Sequence, residues 1–555
     1  MRASFACALL VWLLSGLASV HASTLSPSVV AWLDEAGPED SVAVWIFFTD
    51  KGKLDEFEQQ RLLESLALAY DARALARRLR ADPTKPFDYG DLPLYRPYIE
   101  RLKSCGVRFR SFSKWLNAVS VVATPSEIRS IARLEFVKSI RRVSGSRMRR
   151  EPLVESQAGG EQPLGFYGQS YRQLEQIQVT DLHAQGYTGA DIRIAVFDTG
   201  FWLEHEALSG LSVIAEHDFI NDDGETANEP GDDPNQHRHG TSVLSAVGAY
   251  APGKLIGPAY AADFILAKTE DITIEQPIEE DWWIEACEWA DSLGADIITS
   301  SLCYKDWYTY EDMDGDTAPI TIAADRAVLK GIVVTNAAGN SGSSAWRYIL
   351  APADGDSVIS VGSVDSTGVR SSWSSQGPTY DGRIKPTIMA MGQATYLASA
   401  DSTGAYIHGS GTSFATPLVA GAIALILEKN QVWTPPEVIQ AIQMTGTQAA
   451  YPDTFYGWGI LQALAASDYD VSGISMRSLS GLRVYPNPTH GKLFLDIVDG
   501  APCEITLYDV MGRSLGGFRI ARDCVVDLRA SLGQKPVGIV FLRSSGGAVT
   551  KVIVR

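Results

Sequence analysis

At 555 residues the chain is too long for one hydrophobic core and divides into two to four folding units. Hydrophobic residues at 45% and charged residues at 20% exclude an extended disordered protein. Charge is unevenly placed: residues 71–150 carry +12 and residues 151–470 carry −31, so the large central region repels phosphates and nucleic-acid binding is disfavoured. Two readings of that split stand side by side. The basic segment docks on the acidic one, or the acidic excess only keeps the protein soluble.

The chain opens with "MRASFACALLVWLLSGLASVHAS": Arg2, an apolar run from Phe5 to Val20, and small residues at Ala18, Ala22 and Ser23. That is the pattern of a secretory signal peptide over residues 1–22, cut after Ala22. The run is shorter than the roughly 20 residues a span requires and is broken by Ser15 and Gly16, so no transmembrane anchor is expected here or later. Removing it takes Cys7 and leaves an odd set: Cys105, Cys287, Cys303, Cys503 and Cys524. Cys503 and Cys524 could bridge, and the lack of a CxxC spacing argues against zinc.

Residues 23–150 read as a small α+β unit. A strand over 41–50 is followed by one long amphipathic helix over 54–80, a strand over 116–124, a helix opened by Pro125 and Ser126, and a strand over 137–143. Residues 151–165 are loop-like and form a linker. From 166 to 470 short apolar runs at 192–198, 263–269, 295–302, 331–339 and 357–365 alternate with helical patterns at 277–294 and 320–331. Such alternation predicts an α/β fold, a mostly parallel sheet with helices on both faces. A Ser-rich linker over 471–480 leads to 481–555, whose short alternating strands predict a compact β-sandwich.

Open parallel sheets gather reactive groups where strands end and helices begin. Asp198 closes the run "IRIAVFD". His239 stands in "HRHGTSV" at a helix start, with His237 a rival in an acidic, solvated loop. Ser413 stands in "HGSGTSFATP". Pro417 cannot sit deep in a helix, so that helix is expected to start within a turn of it, with Ser413 at its N-terminus. Unpaired N–H groups there favour an oxyanion beside the hydroxyl, and Gly409, Gly411 and Ala415 leave room for a substrate backbone. Serine needs an imidazole to take its proton and a carboxylate to hold that imidazole's tautomer, and Asp, His and Ser occur here in that chain order.

The segments "AVFDTG" (195–200), "HGTSV" (239–243), "AAGN" (337–340) and "GTSFATPLVAG" (411–421) resemble the four signature blocks of subtilisin-like serine proteases. The resemblance implies a serine endopeptidase acting through an acyl-enzyme, with Ser413 as nucleophile, His239 as general base and then acid, and Asp198 orienting His239. It implies Asn340 as an oxyanion donor beside the Ser413 N–H, and no cofactor for catalysis. "SSLCY" (300–304) resembles the substrate-binding strand, which with "AAGN" makes Ser301, Leu302, Ala338 and Gly339 candidate substrate-binding residues. "GWGILQALAA" (457–466) resembles the closing helix. Two positions depart from the pattern: Ser242 stands where a second His is usual, and Cys303 where glycine is common.

The basic unit over 23–150 resembles the propeptides that template folding and block the cleft, which makes the chain a zymogen with "SRMRR" (146–150) as a processing region. "VYPNPTHGKLFLDI", "LYDVMGR" and the terminal "KVIVR" resemble the sorting domain of the type IX secretion machinery of Gram-negative Bacteroidota, implying a secreted or cell-surface-attached enzyme. Calcium is common in the family, and Asp312, Asp314 and Asp316 in "DMDGDT" are weak candidate ligands; the other reading is a solvated acidic turn. The partners implied are protein or peptide substrates, the chain's own propeptide and the secretion machinery. A competing class is a surface binding or adhesion protein that keeps the fold without catalysis; a third is a processing enzyme with few substrates.

Overall fold

The computed structural model describes residues 24–143, 154–157, 165–273 and 276–471, and seven backbone strands between 483 and 554. The signal peptide expected over 1–22 and the basic run over 146–150 lie outside the described residues. The chain forms two compact units that divide after Tyr469.

In the N-terminal region four antiparallel strands pair in the order Arg108–Ser113, Ala118–Ala123, Val42–Phe48, Val137–Val143. Val44, Ile46 and Phe48 alternate along one strand and meet Val119, Val121, Ile140, Leu102 and Ile128 in a single core. Each such side chain, fully buried, contributes about 1.5–3 kcal/mol. The helix opens at Pro125 and Ser126 as expected, running Pro125–Ile131 with Thr124 as its cap.

The single helix expected over 54–80 is two, Glu56–Ala69 and Ala72–Ala81. The Asp71 carboxylate accepts from the N–H groups of Arg73 and Ala74, so a new helix starts there in a new direction. Its arginines at 73, 77 and 80 recur at helical spacing and share a face. That face meets the acidic part of the chain. Arg77 and Arg78 both pair with Asp291, Arg73 and Arg80 with Asp296, and Lys330 with Asp91. Beyond the helix, Arg110 pairs with Asp281 at 3.0 Å, and the hydroxyls of Ser113 and Ser120 donate to Glu288 and Asp281, each at 2.6 Å. The basic segment therefore docks on the acidic one, as the first reading of the charge split anticipates.

Docking carries a pH dependence. Burial pushes Asp281 up to about 6 and raises Glu285 and Glu288, whereas Asp291, which burial alone would raise, is lowered by Arg77 and Arg78. Asp281 takes up a proton on docking, so its ionisation opposes the complex as pH rises through about 6, and Glu285 and Glu288 act in the same direction. Asp291 works the other way and favours the complex above its ordinary value near 4. Inhibition of the mature enzyme by added N-terminal unit is thus expected to be tightest between about pH 4 and 6, and about tenfold tighter at pH 5 than at pH 8. Equal inhibition at both would contradict this.

The central sheet has seven parallel strands in the order Ile388–Met391, Ile359–Val364, Val333–Ala337, Ile297–Ser300, Arg193–Asp198, Asp263–Lys268, Ser212–Asp218. Along Arg193–Asp198, Ala195 and Phe197 join a core with Trp283, Ile284, Ala323 and Ala324, while the alternate Ile194 and Val196 are equally buried. Both faces are covered, which is why the strands read as unbroken apolar runs. Chain order reverses between Arg193–Asp198 and Ile297–Ser300, so the crevice of the sheet opens at the ends of those two strands.

No span-like segment is expected from the sequence, but the helix Thr412–Lys429 corrects this, being long and apolar enough by length and composition to cross a membrane. It is almost entirely buried within the fold and packs against the helix Arg238–Gly248 and four strands of the sheet. The closing helix is shorter than expected, Ala463–Ser467, because Gly457 and Gly459 adopt positive φ and hold a turn.

The described residues of the C-terminal unit beyond 480 are β-strands. Arg483–Tyr485, Lys492–Asp496 and Cys524–Asp527 form one sheet; Ser514–Ile520, Cys503–Tyr508, Gly538–Ser544 and Val549–Val554 form another. Cys503 and Cys524 lie on strands of different sheets.

Candidate active site

Asp198 ends its strand fully buried. Its Oδ1 accepts from the Thr199 N–H at 2.8 Å and from His239 Nδ1 at 2.6 Å, while Oδ2 is buried with no partner among the described residues. A carboxylate on Nδ1 assigns the proton to that nitrogen and leaves Nε2 as the acceptor. His239 belongs to the helix Arg238–Gly248, and Gly240 explains how that helix comes so near. A Cβ there would lie 2.1 Å from the Gly200 carbonyl oxygen and 3.1 Å from Asp198 Cβ, so any larger residue would push the imidazole off the carboxylate.

His237, the rival, is a structural residue. Its Nδ1 accepts from the Asn228 N–H at 3.0 Å, its ring stacks on Trp202, and burial lowers its pKa.

Ser413 is the second residue of the helix Thr412–Lys429, among first-turn N–H groups that have no intrahelical acceptor. Its hydroxyl donates to the Ser301 carbonyl at 3.3 Å, and no hydrogen bond joins it to His239 among the described residues. Pro417 lies inside this helix, deeper than its chemistry suggests.

Asn340 is held by a residue that sequence reasoning passed over. The Thr412 N–H and hydroxyl both donate to Asn340 Oδ1 at 3.0 Å, and Thr412 Oγ1 accepts from the Gly339 N–H at 3.2 Å. With Oδ1 so engaged, the amide is oriented with Nδ2 toward Gly411, where a Cβ would be 3.7 Å away. The signal was present as the threonine beside the serine in "GTS". Gly409 serves a different end than substrate access, because a Cβ there would strike the Phe414 ring at 2.6 Å and Leu397 at 2.8 Å.

The four candidate substrate residues come together at the same end of the sheet. Ser301 and Leu302 follow the strand Ile297–Ser300, and Ala338 and Gly339 follow Val333–Ala337. Much of their backbone is already used within the fold. Ala338 N–H donates to the Val361 carbonyl, Ala338 carbonyl accepts from Leu350 N–H, Gly339 carbonyl accepts from Ser375 N–H, and Leu302 carbonyl accepts from Asn336 Nδ2. Ser242, in place of the usual second His, donates to the Ala398 carbonyl at 2.8 Å.

Asp312, Asp314 and Asp316 are not gathered around a cation position. Asp312 accepts from the Thr309 N–H and hydroxyl, and Asp314 from the N–H groups of Asp316 and Thr317, so both close local turns. Among the described residues, the carboxylates that come within 4.8 Å of one another belong to Asp218, Asp223 and Glu229. The Lys268 ammonium stands 2.8 Å from Asp218 Oδ2 and supplies the positive charge there.

The Subtilase family pattern matches residues 189–459, and the Bacteroidota Peptidase S8 propeptide domain matches residues 43–157. Subtilisin E of Bacillus subtilis strain 168 is 34% identical over 299 residues, 53% of this chain and 70% of that protein. Subtilisin of Bacillus pumilus is 34% identical over 299 residues and 97% of its length. Serine protease AprX of Bacillus subtilis strain 168 is 33% identical over 309 residues, 51% of this chain and 67% of that protein. With its propeptide domain docked on an α/β core of seven parallel strands, this serine-type endopeptidase, made as a zymogen, belongs to the subtilase family.

Proposed function

We propose that Asp198, His239 and Ser413 form the catalytic triad of a secreted endopeptidase, with Asn340 Nδ2 and the Ser413 N–H as the oxyanion hole. The observation that carries the reading is the 2.6 Å bond from His239 Nδ1 to Asp198, which leaves Nε2 to take the Ser413 proton. Ser413 Oγ then leaves the Ser301 carbonyl, attacks the scissile carbonyl and forms an acyl-enzyme, and the His239 imidazolium returns the proton to the leaving amine. Water repeats the sequence to release the acyl group. These steps need no cofactor.

Labelling with a fluorophosphonate, followed by mapping of the modified residue, tests the assignment. A single adduct on Ser413, absent from Ser413→Ala, is expected. No adduct, or one elsewhere, would overturn the triad and favour a binding protein on the same fold. Asn340→Ala is expected to lower kcat by about 10²- to 10³-fold with little change in KM, because the amide acts on charge that develops only in the transition state.

Residues 1–22 direct export, 23–150 act as propeptide, 166–470 as the peptidase domain and 481–555 as a type IX sorting domain. The Bacteroidota match of the propeptide and the paired "VYPNP" and "LYDVMGR" segments support this reading. N-terminal sequencing of the secreted form is expected to find a start beyond Val143, and a start before residue 130 would contradict it. Deleting residues 481–555 is expected to trap the enzyme in the periplasm.

A further inference from the structure

A proline inside an α-helix removes the N–H that would serve the carbonyl four residues earlier. In Thr412–Lys429 the proline is Pro417, and the carbonyl it leaves without that donor is that of Ser413. Ser413 is only 7% exposed, so bulk water is a poor substitute. A neighbouring carbonyl in the same turn finds a local donor, since the Thr416 hydroxyl donates to the Thr412 carbonyl at 2.9 Å. The Ser413 carbonyl is served from across the fold instead: the Ser301 hydroxyl, on a residue 4% exposed, donates to it at 2.7 Å. The Ser413 hydroxyl in turn donates to the Ser301 carbonyl at 3.3 Å, so the two residues are tied in both directions.

Ser301 is rigidly placed. It follows Ser300, whose strand is paired on one side with Arg193–Asp198, in register with Phe197, and on the other with Val333–Ala337, in register with Asn336. One strand neighbour ends at Asp198, and the other leads to Asn340. We propose that Ser301 is a positioning residue: its hydroxyl takes the place of the N–H that Pro417 lacks and anchors the Ser413 backbone to the sheet. The inference rests on the triad reading above. Without that hydroxyl the Ser413 carbonyl is left buried and unpaired, and the first helical turn moves to satisfy it. Both the Ser413 N–H and Oγ move with it.

The pair Ser301 and Pro417 supplies its own test. Ser301→Ala, Pro417→Ala and the double variant are made in the full chain. For each matured enzyme, kcat and KM on a peptide and the rate of fluorophosphonate labelling are measured per titrated active site, beside Tm. Ser301→Ala is expected to lower kcat and the labelling rate together by about tenfold, the effect of leaving one buried carbonyl unpaired. KM should change by less than about twofold, since the backbone at 301 is retained. In the double variant the N–H of alanine at 417 reaches the Ser413 carbonyl by an ordinary helical bond, and most of the lost rate returns.

A Ser301→Ala enzyme with wild-type kcat, or one whose loss is not restored by Pro417→Ala, would overturn the proposal. A hydroxyl of purely structural value would lower Tm and leave turnover per titrated site unchanged. Should Ser301→Ala fail to mature, restoration of maturation in the double variant supports the proposal and its absence overturns it. If the wild-type enzyme is labelled at a residue other than Ser413, the triad reading has failed, and that result is distinct from wild-type behaviour of Ser301→Ala.

Discussion

Ser413→Ala is expected to lower kcat by about 10⁶-fold, the loss seen when the nucleophile of such a triad is removed. Asp198, His239 and Asn340 keep their geometry in the variant, since the Asp198–His239 bond and the Thr412 contacts to Asn340 do not involve the serine hydroxyl. The oxyanion donors and substrate contacts alone should sustain about 10³- to 10⁴-fold catalysis over water. KM on a peptide should hold within a few-fold. His239→Ala should cost a similar amount, and the double variant scarcely more, because the two residues act as one unit. Steady-state hydrolysis of one peptide by the three variants decides this. Turnover by Ser413→Ala above about one per cent of wild type, or losses that multiply in the double variant, would contradict a shared triad.

Asp291→Ala is expected to weaken docking of the N-terminal unit by about 10²- to 10³-fold. Asp291 is fully buried on the helix Ile278–Ser292 and receives Arg77, Arg78 and the Tyr70 hydroxyl. Burial would raise its pKa, yet the two guanidinium groups outweigh that and hold it below the usual carboxylate range. Alanine would leave two arginines side by side. Arg78 would keep Asp91 at 2.9 Å, whereas Arg77 would keep only backbone carbonyls. Removing one partner of a buried ion pair costs about 3–5 kcal/mol, and the remaining contacts bring the loss toward the lower end. Inhibition of the mature enzyme by the N-terminal unit in trans reads the effect. Inhibition equal to wild type would show that docking does not depend on this cluster.

Much of the fold is legible in the sequence because the central strands are buried on both faces. "IRIAVFD" and "DFILAKT" read as strands and are strands, and the switch in helix and strand order follows. Ser212–Asp218, partly exposed at the sheet edge, and the four-residue Ile388–Met391 escape the apolar-run pattern for opposite reasons, one too polar and one too short. The break after Ala69 is invisible to helical periodicity, which runs on across it; Asp71 is the cap that marks it. Chain order and local chemistry bring Asp198, His239 and Ser413 forward as candidates. What they do not reveal is how the site is held. Pro417 is tolerated inside its helix through a residue 116 positions earlier, and Gly409 is small because of Phe414. Such contacts depend on distances that exist only once the sheet has closed.

The apolar character of Thr412–Lys429 links completion of the core to the proposed chemistry. Until strands and helices cover it, this stretch would partition into a lipid bilayer or self-associate. The same covering is what sets Ser413 at the end of the sheet. A chain that fails to complete its core therefore loses the placement of Ser413, its proposed nucleophile, in the same event that makes it prone to aggregate.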